Sequence, residues 1–287
     1  MILTVLGSGA SEGIPAFLCQ CATCITARRR RGKEVRQNSF ALLQARTGEQ
    51  LLIDVPPHFK ASWDTKRLRE DRLCAVLVTH RHDDHSLGIP YLWDAVIHSS
   101  CREAQPLPIY MPADVYDLRV RPFEQGTADS SGRGKPVRAM TARAGQQVRA
   151  GPFRITPLET NHLGADDPLP PGAHLREDFG YLVEDDDGTR LAYMVDAPAV
   201  LPAATMKALS ARRLDCLVYE CTFARCEPAR GHCDVPGLRA VAARLAPRMM
   251  IATHVGHGNQ SHRLLQRELR PEGIRVAFDG MRVRIPA

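Results

Sequence analysis

The segment Thr79-His80-Arg81-His82-Asp83-Asp84-His85 constrains this chain more than any other part of it. It sets His80, His82, Asp84 and His85 within six residues, shortly after an apolar run at 75–78 that reads as a strand. Strand geometry puts His80 and His82 on one side, and the turn that follows can swing Asp84 and His85 toward a second point. A lone histidine is ordinarily a satisfied core or surface residue. Four ligand-type side chains at this spacing are a metal site. Imidazole suits Zn, Mn and Fe, and an added carboxylate oxygen shifts the preference toward harder ions.

Composition narrows what surrounds such a site. The 287 residues carry 38 Lys+Arg against 32 Asp+Glu, a net +6. A charge that small favours acidic small molecules at least as much as nucleic acid. The sequence has no apolar run of ~18 residues, which excludes a membrane-spanning helix. Its start lacks the basic and apolar regions of a signal peptide, so a cytoplasmic protein is expected. Nine cysteines, an odd number in a long chain, argue against a secreted disulfide framework. The length allows one large domain or two small ones. With candidate ligands spread from His80 to His254, one domain over 1–287 is expected.

Short β-branched and aliphatic runs at 2–6, 40–43, 50–53, 75–78, 109–111, 153–155, 181–184, 190–195, 216–219, 249–252 and 275–277 predict strands. Amphipathic stretches at 201–211, 237–245 and 261–269 predict helices. Strands in runs first and alternating with helices later suggest an α/β sandwich, sheets inside and helices outside. Stretches 124–135 and 164–172 read as loops, either lids or tolerated insertions. The four arginines at 28–31 read as a solvated face or as a contact for phosphate or a subunit.

Further ligands should also stand at strand ends. His162 follows 153–158, Asp196 follows 191–195 and His254 follows 249–252, each repeating the rule of an apolar strand and then a ligand. Seven such residues suffice for two metals if Asp196 bridges. Cys19, Cys21 and Cys24 offer three thiolates, one short of a closed tetrahedral zinc site, with buried thiols as the plain alternative. Cys74, Cys101, Cys216, Cys221 and Cys226 read as scattered thiols. Gly7, Gly9 and Gly13 are spaced one residue too long for the dinucleotide fingerprint, so a tight turn near the metal edge is the better reading. Asp54, at the end of 51–53, is either a carboxylate that orients a ligating histidine or a turn former.

The H-x-H-x-D-H pattern at His80–His85 resembles the signature of the metallo-β-lactamase superfamily of binuclear hydrolases. The resemblance implies a four-layer αβ/βα sandwich with the metals at one edge of two sheets. One metal would take His80, His82 and His162, the other Asp84, His85 and His254, with Asp196 shared and a hydroxide between them as nucleophile. Asp84 is thereby also assigned to catalysis. The opening Gly-Ser-Gly-Ala-Ser-Glu-Gly-Ile-Pro, the C-x-C-x-x-C cluster, Asn161-His162, Phe179-Gly180-Tyr181-Leu182, Gly231-His232-Cys233-Asp234 and Phe278-Asp279-Gly280-Met281 run in order through the chain. Together they look like the cyclic phosphodiesterases that accompany carbon–phosphorus lyase in phosphonate catabolism. That branch implies a homodimer with manganese that opens 5-phosphoribosyl 1,2-cyclic phosphate. It further implies that His232 completes a structural Cys₃His zinc site, with Cys233 the neighbouring alternative.

The chain departs from that branch at one chemical position. Where a proton-transfer histidine is expected, two residues after Cys221, stands Phe223. His257 is the candidate substitute acid, with His174 and His58 behind it. Three readings follow: a metal-dependent phosphodiesterase for a small, cyclic phosphate diester; an RNA-processing nuclease of the tRNA 3′-end type; and a non-catalytic metal-bearing accessory protein. Cleavage of a lactam or thioester is also conceivable, because fold alone does not fix function.

Overall fold

The computed structural model describes residues 1–65, 69–99, 106–126, 137–162, 177–225 and 231–286. The first sheet is built from β1 (Ile2–Gly7), β2 (Phe40–Gln44), β3 (Gln50–Ile53), β4 (Leu73–Leu77), β5 (Leu107–Met111) and β6 (Val137–Thr141). The second uses β7 (Val148–Ala150), β8 (Phe153–Glu159), β9 (Phe179–Glu184), β10 (Arg190–Met194), β11 (Cys216–Glu220), β12 (Met250–Thr253) and β13 (Ile274–Val276). The chain then returns through β14 (Arg282–Arg284) to pair with β1. The resulting orders are β14-β1-β2-β3-β4-β5-β6 and β13-β12-β11-β10-β9-β8-β7.

Alternation of side chains explains why these strands need cover on both faces. Ala75 and Leu77 of β4, Leu191 and Tyr193 of β10, and Cys216 and Val218 of β11 meet in one core between the sheets. Their neighbours point outward: Val76 and Val78 pack under helices α2 (Phe59–Thr65) and α4 (Ile89–Ile97), which follow α1 (Ala22–Arg30) and flank α3 (Asp83–Ser86). A further helical run covers the same face, composed of α5 (Ala113–Val115), a π-helical turn at Tyr116–Val120 and α6 (Arg121–Gly126). On the other side Ala192, Met194, Leu217 and Tyr219 are covered by α7 (Ala203–Ser210), α8 (Val235–Leu245) and α9 (His262–Leu269). This is the four-layer αβ/βα sandwich expected from the sequence. Among the described residues no helix is long and apolar enough to cross a membrane.

The topology decides where function can sit. Strands β3, β4 and β5 run parallel, as do β10, β11 and β12, so each set ends on one edge. β8 is antiparallel to β9, which is antiparallel to β10, so β8 ends there too. The two edges are tied together by the Phe179 N–H on the Thr79 carbonyl at 2.9 Å and the Tyr181 hydroxyl on the Val78 carbonyl at 2.6 Å. The C-terminal ends of parallel strands are where open α/β sheets bind ligands.

Of stretch 124–135, read as a loop, residues 124–126 instead end helix α6 and the rest lie outside the described residues, as do 164–172, Cys101, Cys226 and His174. Arg28–Arg30 form the last turn of α1 and Arg31 caps it, and the first member of the run has a structural task. Arg28 donates to the carbonyls of Cys19 at 2.5 Å and Ala16 at 2.9 Å, bracing the cysteine loop. Cys216 and Cys221 are buried in the core, consistent with plain thiols.

Candidate metal centre

Four strand ends at this edge carry polar residues into one cluster. His80, His82, Asp84 and His85 leave β4, His162 leaves β8, Asp196 leaves β10 and His254 leaves β12. The structure brings the seven together in overlapping groups: His80, His82 and His162; Asp84, His85 and His254; and Asp196 within reach of both. Their inward atoms crowd one another. His82 Nδ1 lies 2.9 Å from His80 Nε2 and 3.2 Å from His162 Nε2. Asp196 Oδ2 is 2.9 Å from His85 Nε2 and 3.3 Å from His254 Nε2, while its Oδ1 is 3.6 Å from His162 Nε2.

These spacings also suit atoms that share an ion. Two atoms each about 2.1 Å from one tetrahedral ion stand roughly 3–3.5 Å apart. His85 Nε2, His254 Nε2 and Asp196 Oδ2 are buried and make no hydrogen bond among the described residues, a costly arrangement unless a cation takes their lone pairs. The opposite nitrogen of each ring is anchored. His85 Nδ1 meets Asp54 Oδ2 at 2.8 Å, His162 Nδ1 meets the Gly231 carbonyl at 2.9 Å, and His80 and His254 use the hydroxyls of Thr79 and Thr222 at 3.0 Å. Such outer contacts fix which nitrogen faces the metal. Asp54 also accepts from the Thr79 N–H at 2.8 Å. Asp54→Ala is expected to weaken metal binding at His85 about 10–100-fold; metal titration followed by calorimetry checks this.

The backbone is bent to reach this geometry. Asp54, Asp196 and His254 have left-handed φ of 67°, 46° and 51°, and Asn161 beside His162 has 65°. Such conformations cost about 1–3 kcal/mol each and persist where surrounding structure enforces them. Asp178, which the sequence did not flag, is one enforcer. Its carboxylate accepts from the His162 N–H at 2.7 Å and from the Thr160 hydroxyl.

Electrostatics suit cation binding. Burial alone would push Asp196 up, but the His254, His85 and His162 charges outweigh it and hold the carboxyl well below the usual range. Burial drives His80 and His82 down, which leaves neutral imidazoles with lone pairs to donate.

Two histidines stand in exchanged places relative to the sequence expectation. His232 does not join the cysteines. The segment Cys233–Val235 pairs with Thr222 and Phe223 beyond β11, which sets His232 Nδ1 3.2 Å from Glu220 Oε2 and 3.5 Å from Asp196 Oδ1. Burial would lower this imidazole, but the hydrogen bond and charge of Glu220, with Asp196 and Asp84, raise it to about 9. The fourth partner of Cys19, Cys21 and Cys24 is instead His257, the residue expected to be the acid. Its Nδ1 lies 3.2 Å from Cys19 Sγ and 3.7 Å from Cys21 Sγ. The reason is strand pairing: Gly9 bridges Val255, which draws the loop after β12 onto the N-terminal loop. Backbone N–H groups of Ala16, Cys21 and Cys24 point at the three sulfurs. Against its burial, hydrogen bonds bring the Cys21 thiol down to about 6, while burial pushes Cys24 up to about 12. Cys233 is buried elsewhere, its thiol on the Asp234 carbonyl, and His58 packs edge-on against Phe40 in neither cluster. Metal analysis tells the two histidines apart: His257→Ala is expected to lose about one zinc per chain from the cysteine cluster, and His232→Ala to keep it.

A cleft of about 740 Å³ opens over the centre, lined by Glu12, His82, Asp84, Asp196, Phe223, His232, His254 and His257 among others, with Arg81 and Arg119 on its wall. Phe223 lies edge-on to His232, with ring centroids 5.9 Å apart.

Residues 50–255, most of the chain, match the beta-lactamase superfamily domain. The chain belongs to that superfamily. Among solved structures, it resembles a diphosphatase of the PhnP family, with a TM-score of 0.80 and 23% identity over 99% of this chain and 98% of that one. It also resembles Zn²⁺-bound PqqB from Methylobacterium extorquens (TM-score 0.76, 20% identity, 99% and 100% covered) and human tRNase Z, short form (0.69, 20%, 100% of both). These superfamily likenesses show a shared fold. In sequence, coenzyme PQQ synthesis protein B of Nitrosococcus oceani is 22% identical over 98% of this chain and 99% of its own. A 113-residue stretch is 33% identical to an octanoyltransferase of Porphyromonas gingivalis, covering 39% of this chain and only 21% of that protein.

Proposed function

We propose that this superfamily member is a metal-dependent phosphodiesterase for a small phosphate diester, with 5-phosphoribosyl 1,2-cyclic phosphate as the model substrate. One observation carries the reading: six ligand-type residues converge around Asp196, and an imidazole backed by a carboxylate, His232 on Glu220, stands against the same cluster. Likeness to a PhnP-family diphosphatase supports phosphate as the group attacked.

Two divalent ions, Mn²⁺ or Zn²⁺, would be held by His80, His82 and His162 and by Asp84, His85 and His254, with Asp196 offered to both sets, and when bound would supply Lewis acidity toward the phosphoryl oxygens and lower the pKa of a water. The remaining work belongs to the chain. Attack forms one P–O bond from water and breaks another, so the leaving oxygen needs a proton and the water must lose one. Asp84, on the cleft wall, accepts the proton of the water. His232 holds Nδ1–H against Glu220, and its opposite nitrogen, Nε2, gives a proton to the leaving oxygen. Glu220 is fixed for this by the Ala197 N–H at 2.5 Å and by the Thr222 hydroxyl. His232 thereby takes over the role that Phe223 cannot perform, from a different loop. Cys19, Cys21, Cys24 and His257 would hold a third, structural zinc. The reading includes a single-domain cytoplasmic homodimer, checked by light scattering on the purified protein.

A substrate panel tests the proposal: ribose cyclic phosphates, 2′,3′-cyclic nucleotides, diphosphates and precursor tRNA, with Mn²⁺. Highest turnover on the ribose cyclic phosphate is expected. Preference for precursor tRNA, with steep loss in salt, would favour the nuclease reading. The full-length likeness to PQQ synthesis protein B favours a cofactor-synthesis role if no phosphoester is cleaved.

A further inference from the structure

Arg119 is not needed to hold the metals, yet it is built into the cleft with unusual care. It sits in the π-helical turn Tyr116–Val120 between α5 and α6, and both it and Leu118 line the cleft. Wide π turns shift side chains around a helix relative to α geometry and recur at functional sites. The guanidinium is docked on the metal-binding segment itself. Its Nε–H donates to Ser86 Oγ at 3.0 Å, and Nη2 donates to the Arg81 carbonyl at 3.4 Å and to the Asp83 carboxylate. Ser86 in turn donates to the carbonyls of Arg81 and His82 at 2.9 and 3.0 Å. The side chain is 13% exposed, and its other amino group, Nη1, has no hydrogen-bond partner among the described residues.

Its neighbour makes the contrast useful. Arg81 also lines the cleft, but its charge is met by the buried Asp114 carboxylate at 3.2 Å. The partner of Arg119, Asp83, is 73% exposed, and water screens that pair strongly. Arg119 therefore keeps an oriented donor and much of its charge for the cleft, at a position fixed relative to His82 and Asp84 by the bonds just given. A guanidinium held along one edge is suited to an anionic oxygen presented at another.

We propose that Arg119 binds a second phosphoryl group of the substrate, one that is not attacked, and so selects phosphate esters that carry an additional phosphate. This rests on the phosphodiesterase reading and narrows it. It makes the enzyme discriminate by charge beyond the scissile bond, with Asp83 tempering the attraction.

The test uses a matched pair, 5-phosphoribosyl 1,2-cyclic phosphate and the same cyclic ester without its 5-phosphate, with bis(p-nitrophenyl) phosphate as a diester lacking a second phosphate. Wild type should favour the phosphorylated member about 10–100-fold in kcat/KM, the range for a charge-assisted contact. Arg119→Ala should collapse that ratio toward one through KM, with Arg119→Lys restoring part of it. Loss in equal proportion on all three substrates would mean that Arg119 only props the Ser86 segment, and a ratio retained in Arg119→Ala would also overturn the proposal. Should metal-loaded wild type cleave none of them, the phosphodiesterase reading fails by itself. Calorimetric titration with ribose 1,5-bisphosphate and ribose 1-phosphate then decides Arg119: an affinity difference lost in Arg119→Ala supports it, and an unchanged difference refutes it.

Discussion

Asp196→Ala is expected to lower phosphodiester turnover about 10³-fold or more. The carboxylate reaches both histidine sets, through Oδ1 to His162 and Oδ2 to His85 and His254. Its removal leaves a buried cluster of imidazoles with a single remaining carboxylate, Asp84, which cannot neutralise two divalent ions. Metal analysis should find the centre depleted while the zinc at Cys19, Cys21, Cys24 and His257 stays, because no residue is common to the two clusters. A variant that retains more than a tenth of wild-type turnover would remove Asp196 from its shared role.

His232→Ala is expected to split substrates by leaving group. Cleavage that expels a sugar alkoxide should fall about 10²–10⁴-fold, the usual contribution of a positioned general acid. Release of p-nitrophenolate, which leaves without a proton, should fall less than about 10-fold on the same grounds. Glu220→Gln should shift both rates in the same direction by less, since it weakens the hold on Nδ1 but leaves the imidazole in place. The edge-on contact between Phe223 and His232 suggests a rescue: Phe223→His in the His232→Ala background should recover part of the alkoxide reaction. Equal losses on both substrate types would show that His232 positions the centre and does not donate the proton.

Much of this was legible because chemistry and burial left the same mark. A strand buried on both faces must read as a continuous apolar run. Such runs at β4, β10, β11 and β12 were visible, together with the polar residue that ends each. β6, β7 and β14 were missed because short edge strands carry little of that signal: β14 is Arg-Val-Arg and β7 is Val-Arg-Ala. Helix α1 was hidden inside its own arginines, and α4 begins with a proline after the metal motif. The exchange of His232 and His257 could not be read from spacing, because it depends on two isolated bridges, Phe223 to Asp234 and Gly9 to Val255, between segments far apart in the chain. Glu220 did carry a signal. It ends β11 as Asp196 follows β10, so the rule that found the other strand-end residues would have found it too.

The account turns on metal-dependent cleavage of a phosphate diester at this edge. Its most direct test is hydrolysis of bis(p-nitrophenyl) phosphate by the purified chain, stripped of exchangeable metal and then titrated with Mn²⁺. Turnover should be absent in the stripped protein, rise to saturation at about two added ions per chain, and vanish in Asp196→Ala at every metal concentration. A folded, metal-saturated wild type that releases no p-nitrophenolate would contradict it.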